Sequence, residues 1–442
     1  MNYIPKSVAF AAAKLEGFSR NRFRLETSGA TSATAGSVVT INLPENAIID
    51  IKSLRIHMDV STTKNGTISS KLPADVSSLI SQFELYVGGV QLSQGCSEWN
   101  TVNRILKIVK SSRDRDGSVD SLLSHGTISS GDTADSVSVC LCPQTGFFES
   151  ATRFLPTQLT GALTIRMTFA PNSVLAFKED GQAFGTDLDT TAKRDNAALG
   201  SYTASNIYCT CDSIQLGDTY EQMLLDRLSQ EESLPICFKE YYTFSQHGIA
   251  STAHTTRFSL SASSIDALYA VFRSGNYQDN GINTRLYSGV TFSDANCSNA
   301  LHFQSFNSST TQRGSLKYHW NVNNVRYPQY SADVLEAAAD LSYLTDTLDR
   351  SDKGHMVTSL QDFNSGKCVL PLVLNMPGQA LNVQSGYDSR GSNSTFSLEV
   401  SGQVMPTADP DEQTVANIST FVVAETTAKM LISGSRQISV EY

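Results

Sequence analysis

Short runs of alternating apolar and polar residues recur along the whole chain, and they constrain its fold more than any other feature. SVVTINL over 37–43 and ALTIRMTF over 162–169 put every second side chain on one face, the pattern of a half-buried β-strand. Residues 48–60 read as a longer strand with an interruption at Lys52 and Ser53. Residues 83–87 lead into Gly88 and Gly89, the signal of a two-residue hairpin, with Val90, Gln91 and Leu92 starting the return strand. Residues 137–142 and 206–216 alternate in the same way. Helical spacing is confined to short pieces: TVNRILKIVK over 101–110, DTYEQMLLDRLS over 218–229 with Asp218 as its cap, and ADVLEAAADLSYLT over 332–345 after the break at Tyr327 and Pro328. The expected class is all-β, with short helices and long loops.

At 442 residues the chain exceeds what one hydrophobic core usually serves, so two domains are expected. The break at Glu231, Glu232, Ser233, Leu234 and Pro235 places their boundary near 232, giving an N-terminal arm over 1–30, a first domain over 31–232 and a second over 233–442. The second half repeats the style of the first, with strands expected over 236–245, 256–261, 267–273, 314–322, 369–374, 396–404, 419–424 and 429–440. Similar length and strand number in the two halves hint at a duplication. The strand-poor stretches 61–77, 111–135, 172–205, 274–312, 345–366 and 376–394 are long enough to form a surface of their own.

The formal net charge is −10, but it is unevenly spread. Lys6, Lys14, Arg20, Arg22 and Arg24 face only Glu16 within the first 25 residues, so a basic arm precedes an acidic body. An acidic body lacks the broad cationic surface that nucleic-acid recognition needs, and no sequence-specific nucleic acid is expected as a partner. The five arm cations, interleaved with Ala11, Leu15, Phe18 and Phe23, are the expected contacts to a partner or an inner face. Removing residues 1–24 is expected to leave the assembled protein folded but to impair its attachment to that partner or inner face. Eight cysteines are too few for a disulfide scaffold and read as reduced thiols. No run of 18 apolar residues is present.

The common catalytic signatures are missing. Gly366 and Lys367 lack the upstream glycine of a phosphate loop, Gln361 standing there, and no nucleotide-binding glycine motif, zinc-protease helix or nucleophile elbow occurs. No catalytic residue, cofactor or metal is therefore assigned. Two Cys-x-Cys pairs, Cys140 with Cys142 and Cys209 with Cys211, could offer four thiolates to zinc if they met; the plainer reading makes them small apolar residues on inward strand faces. Asp187 and Asp189 could contribute oxygens to calcium, against the plainer reading of a solvated loop.

Several stretches resemble the double jelly-roll major capsid proteins of the adenovirus-type lineage, including virophages, Polinton-like elements and large DNA viruses of protists. They are 54–60 followed by LISQFELYVGGVQLSQ over 79–94 and Trp99 to Val102; Phe154, Leu155 and Pro156 with LTGALTIRM over 159–167; Tyr327, Pro328 and Gln329 before a helix; and 421–440 at the C-terminal end. The resemblance implies two tandem eight-stranded jelly-roll barrels. It implies a non-enzymatic structural protein of the virion, assembled inside the host cell, whose homotrimers form pseudo-hexagonal capsomers tiling an icosahedral shell. The partners implied are further copies of the chain, penton and minor capsid proteins, and an inner membrane surface where the shell encloses one. The alternative is a receptor- or carbohydrate-binding β-sandwich, as in viral fibres or lectins, which would need exposed aromatic platforms; Trp99 and Trp320, the only tryptophans, both fall in or beside expected regular structure.

Overall fold

The computed structural model describes residues 19–63, 68–72, 76–110, 136–143, 146–179, 201–215, 226, 233–247, 253–274, 306–307, 316–346, 363, 365–375, 384–391, 394–402, 418–433 and 437–442. The first half contributes strands β1 (Ser19–Glu26), β2 (Ala33–Thr34), β3 (Val38–Asn42), β4 (Ile48–Thr62), β5 (Ile68–Lys71), β6 (Ile80–Val87), β7 (Val90–Gln91), β8 (Ser136–Leu141), β9 (Phe154–Pro156), β10 (Leu163–Phe169), β11 (Ala176–Glu179) and β12 (Tyr202–Gln215). Helices α1 (Trp99–Lys110), α2 (Phe147–Ser150) and α3 (Thr157–Thr160) lie between them. The second half contributes β13 (Ser233–His247), β14 (Ala253–Ser259), β15 (Ile265–Ser274), β16 (Phe306–Asn307), β17 (Lys317–Val322), β18 (Val325–Asp333), β19 (Ser365–Gly366), β20 (Leu370–Val373), β21 (Thr395–Ser401), β22 (Ile418–Ser433) and β23 (Ile438–Glu441), with helix α4 (Val334–Asp346).

Two antiparallel sheets face each other in each half. The first half pairs β1-β12-β4-β8 and β3-β10-β6-β7; the second pairs β13-β22-β15-β20 and β14-β21-β17-β18. Counting the principal strands of each half from one to eight in chain order, both halves have a 1-8-3-6 sheet and a 2-7-4-5 sheet. This is the strand order of a jelly roll, and it occurs twice. A helix follows strand five both times, α1 after β7 and α4 after β18. The hint of duplication in the sequence is thus matched by identical topology.

Alternation explains the cores. Val39 and Ile41 of β3, Leu54, Ile56, Met58 and Val60 of β4, and Leu163, Ile165 and Met167 of β10 are buried, with polar neighbours turned outward. The interruption read at Lys52 and Ser53 is a register irregularity: Asp212 and Thr210 are near neighbours on β12 yet pair with Asp50 and Arg55 on β4. Gly88 and Gly89 take φ values of 55° and 83°, the left-handed geometry that a two-residue hairpin of this twist requires.

Three local readings change. Residues 419–424 and 429–440, expected as two strands, are joined: β22 runs unbroken through Glu425, Thr426 and Thr427, and β23 is separate. Those polar residues are buried rather than looped out because distant partners bond them, as described below. The break expected at Pro328 lies inside β18, an edge strand, where a missing N–H removes no ladder bond. Residues 19–26 of the expected arm are strand β1, paired with β12 from Ser19↔Gln215 to Glu26↔Tyr208. Of the long strand-poor stretches, 111–135 lies outside the described residues, while β5 and β11, from 61–77 and 172–205, pair with each other. The helix expected over 218–229 lies, apart from Asp226, outside the described residues, as do Asp187 and Asp189.

Candidate assembly faces

The two barrels meet along a seam that uses different faces of each. The second barrel presents the outer face of its 1-8-3-6 sheet; the first presents the hairpin, loop and helices beside its 2-7-4-5 sheet. Ile236, Phe238, Ala428, Met430 and Ile432 of β13 and β22 join the apolar cluster of the first barrel. Phe238 meets Phe147 of α2 edge-on at 5.5 Å between ring centroids. As a result β22 is buried on both faces from Ser419 to Ala428, whereas β12, the equivalent strand of the first barrel, keeps Tyr208 and Thr210 partly open.

Polar groups fix the register of the seam. The Lys239 N–H donates to Ser150 Oγ at 2.6 Å, the Gln94 N–H to Glu240 Oε1 at 2.8 Å, and Tyr442 Oη to the Gln91 carbonyl at 3.0 Å. A Cβ at Gly95 would collide with the Tyr242 ring, and one at Gly88 would lie 2.7 Å from Ile438 Cδ1, so both glycines allow close approach of the barrels. Helix α1 binds both sides. Asn100 and Asn103 donate to the Ser78 carbonyl and Ser77 Oγ of the first barrel, while Val102, Ile105, Leu106 and Val109 pack in the second barrel's cluster. Burial pushes the Glu240 carboxyl up to about 7.

Inside the second barrel, beside this seam, Lys239 Nζ donates to Asp266 Oδ2 at 2.7 Å and to Thr427 Oγ1 at 2.9 Å, and stands 3.7 Å from Glu425 Oε1. Thr427 donates to Asp266 at 2.6 Å and Tyr269 to Glu425 at 3.0 Å. These partners account for the uninterrupted course of β22 through polar sequence.

The outer face of the first barrel's 1-8-3-6 sheet is covered by guanidinium groups. Arg22 Nε donates to Asp212 Oδ1 at 2.7 Å, and Arg20 also pairs with Asp212. Arg153 donates to Asp50 at 3.0 Å. The two carboxylates are paired neighbours on β12 and β4 and are nearly inaccessible, at 1% and 3%, while Arg20, Arg22 and Arg153 remain 53–60% exposed. The Arg22 and Arg20 hydrogen bonds hold the Asp212 carboxyl down at about 2. Arg24 lies 3.9 Å over the Tyr208 ring and bonds Glu26; Tyr208 in turn stacks on His57, whose pKa is lowered by burial and by Arg55 and Arg24. Of the five arm residues, the structure therefore gathers Arg20, Arg22 and Arg24 on this face; Lys6 and Lys14 lie outside the described residues. Sequence reasoning missed Asp50, Asp212 and Arg153, because nothing local marks residues whose partners lie over a hundred positions away.

The two Cys-x-Cys pairs do not converge. Cys140 is opposite His57, which is opposite Tyr208, whereas Cys209 is opposite Ile56, one residue on. One step along a strand reverses the face, so Cys140 points outward toward His57 while Cys209 and Cys211 point into the core. Burial pushes the Cys211 thiol up to about 11, and that of Cys209 higher. Among the described residues, no cluster of three or more His, Cys, Asp or Glu is placed to hold a metal ion. Trp99 and Trp320 are both buried, so neither forms the exposed platform that a glycan-binding reading needs.

No family model and no curated protein matches this sequence. Solved structures do. A quasi-atomic structure of the PBCV-1 virus capsid matches with a TM-score of 0.61 at 13% identity, covering 97% of this chain and 98% of that one. The Faustovirus major capsid protein matches with a TM-score of 0.53 at 9% identity over 94% and 91%. The 3.5 Å structure of the Sputnik virophage matches with a TM-score of 0.51 at 11% identity over 96% and 88%. At these identities the likeness is one of fold, and with the doubled 1-8-3-6 and 2-7-4-5 order it identifies the chain as a double jelly roll of the type found in these viral structures.

Proposed function

We propose that the chain is the major capsid protein of a DNA virus, three copies of which form a pseudo-hexagonal capsomer that tiles an icosahedral shell. The observation that carries this reading is the end-to-end match with the PBCV-1 capsid structure, 97% of one chain against 98% of the other. The physics agrees: two barrels of identical topology, related by a face-to-side seam, give six similar units when three chains close into a ring. The proposed units are a first barrel over 31–232, extended at its start by β1 (Ser19–Glu26), and a second over 233–442; the proposed location is the virion, and the role is structural rather than catalytic. Penton and minor capsid proteins, neighbouring capsomers and an inner membrane surface are the proposed partners, with Lys6 and Lys14 as arm contacts to the inner face. Light scattering on the purified protein tests the reading. A stable species of three times the chain mass, forming hexagonal particles by electron microscopy, is expected; a clean monomer would overturn it.

The structure also revises what an arm truncation should do. Deleting residues 1–18 spares β1 and is expected to leave the melting temperature unchanged while impairing shell assembly. Deleting 1–24 removes most of β1 and uncovers the buried Asp212, so it is expected to lower stability by about 2 kcal/mol or more. Equal melting temperatures for the two truncations would contradict this division of the arm.

A further inference from the structure

The seam within the chain uses two kinds of surface, and one of each kind is left uncovered by the described residues. The second barrel's 1-8-3-6 outer face is spent on the first barrel's strand-five side, where Gly88, Gln91, Gln94 and Ser97 make their contacts. Among the described residues, nothing covers the first barrel's own 1-8-3-6 outer face or the strand-five side of the second barrel, formed by β18 and α4.

The chemistry of the two open surfaces is complementary. On the first, Arg20, Arg22 and Arg153 pair with two buried aspartates, Arg24 lies over Tyr208 and bonds the exposed Glu26, and Arg55 donates to the Ser53 carbonyl, with Phe154 exposed beside Asp50 and Arg153. The second carries Val325, Tyr327, Tyr330 and Leu335, four of the seven exposed large apolar side chains among the described residues. Tyr330 Oη donates to Glu336 Oε1 at 2.7 Å, and Asp333 and Asp340 lie close enough to hold its phenol proton more tightly. Two cations, Lys317 and Arg326, are also here; Lys317 is within 3.7 Å of Asp333, and Arg326 donates to Ser331.

We propose that the arginine face of the first barrel docks on the β18–α4 side of the second barrel of another copy, head to tail, repeating between chains the contact already made within one. This rests on the capsid reading and assigns its subunit interface. Guanidinium groups would lie over Tyr327 and Tyr330 and against Glu336 and Asp340, and apolar area exposed in the monomer would be buried. The interface is heterologous, so each copy donates one face and receives with the other, and the set closes when six barrels complete the ring.

The test uses full-length chains altered on one face at a time. Arg24→Glu with Arg55→Glu changes the first face and spares Arg20, Arg22 and Arg153, which neutralise the buried aspartates. Tyr330→Ala with Glu336→Arg changes the other. Each variant alone is expected to be monomeric in sedimentation where the wild type is trimeric. Mixed in equal amounts, the two are expected to stop at a heterodimer, because each retains one intact face; the heterodimer also shows that both are folded. A trimeric wild type with either variant still trimeric, or with no heterodimer in the mixture, overturns the assignment of faces while leaving the capsid reading in place. A monomeric wild type overturns both.

Discussion

Replacing Lys239 with methionine will cost the fold about 3–5 kcal/mol, the usual cost of removing one partner from a buried ion pair. The side chain is only 5% exposed, Asp266 and Glu425 are 1% and 6% exposed, and one ammonium serves both carboxylates. Without it, Asp266 keeps its bonds from Thr427 and Ser264, and Glu425 its bond from Tyr269, but no cation offsets their charge. Urea unfolding of the purified protein measures the loss as a shift of the midpoint. Adding Asp266→Asn and Glu425→Gln to Lys239→Met should recover most of it, since neutral groups can occupy the same hydrogen-bond positions. A single variant within about 1 kcal/mol of the wild type would show that water reaches this network and that its burial is not what stabilises β22.

Glu240→Gln should raise stability at pH 8 by up to about 3 kcal/mol and leave it unchanged near pH 4. The wild-type carboxyl is pushed up to about 7 by burial at the seam, against an ordinary value of 4.5. Its folded form therefore holds a proton that the unfolded chain releases between about 4.5 and 7. The stability this contributes is complete below the unfolded value and is lost as the pH rises through the folded one. Glutamine keeps an acceptor for the Gln94 N–H and carries no charge, so the dependence on pH should flatten. Melting temperature against pH from 4 to 8, for both proteins, measures it; parallel curves would mean that Glu240 is hydrated in the folded protein.

Both expectations concern the seam or its surroundings, and the seam organises the molecule. Strand β22 of the second barrel is buried on both faces because the first barrel and helix α1 lie on it, which is why it reads as nearly continuous apolar sequence at 421–424 rather than as an alternation. The first barrel's equivalent sheet has kept a charged outer face, with the acids buried and the arginines toward solvent. The same topology thus serves two environments, and the difference is written in the outward-facing residues alone.

Strands β3, β6, β8 and β10, the Gly88-Gly89 hairpin and helices α1 and α4 were legible because each depends on a period of two or of about 3.6 within a few residues, or on a turn that only glycine tolerates. Residues 19–26 also alternate, with Arg20, Arg22 and Arg24 against Phe23 and Leu25, but their charge reads equally well as a solvated arm; pairing with β12, nearly two hundred residues away, decided the matter. Tertiary structure alone determined that Cys140 and Cys209 lie on opposite faces, since facing depends on pairing register and not on spacing. It alone let Glu425, Thr426 and Thr427 remain in a buried strand, through partners supplied by β13 and β15. Periodicity is a local property and tells which face a side chain takes; what lies against that face is set by chain segments far away in sequence, and with it the burial, the charge balance and the surfaces left open for another copy.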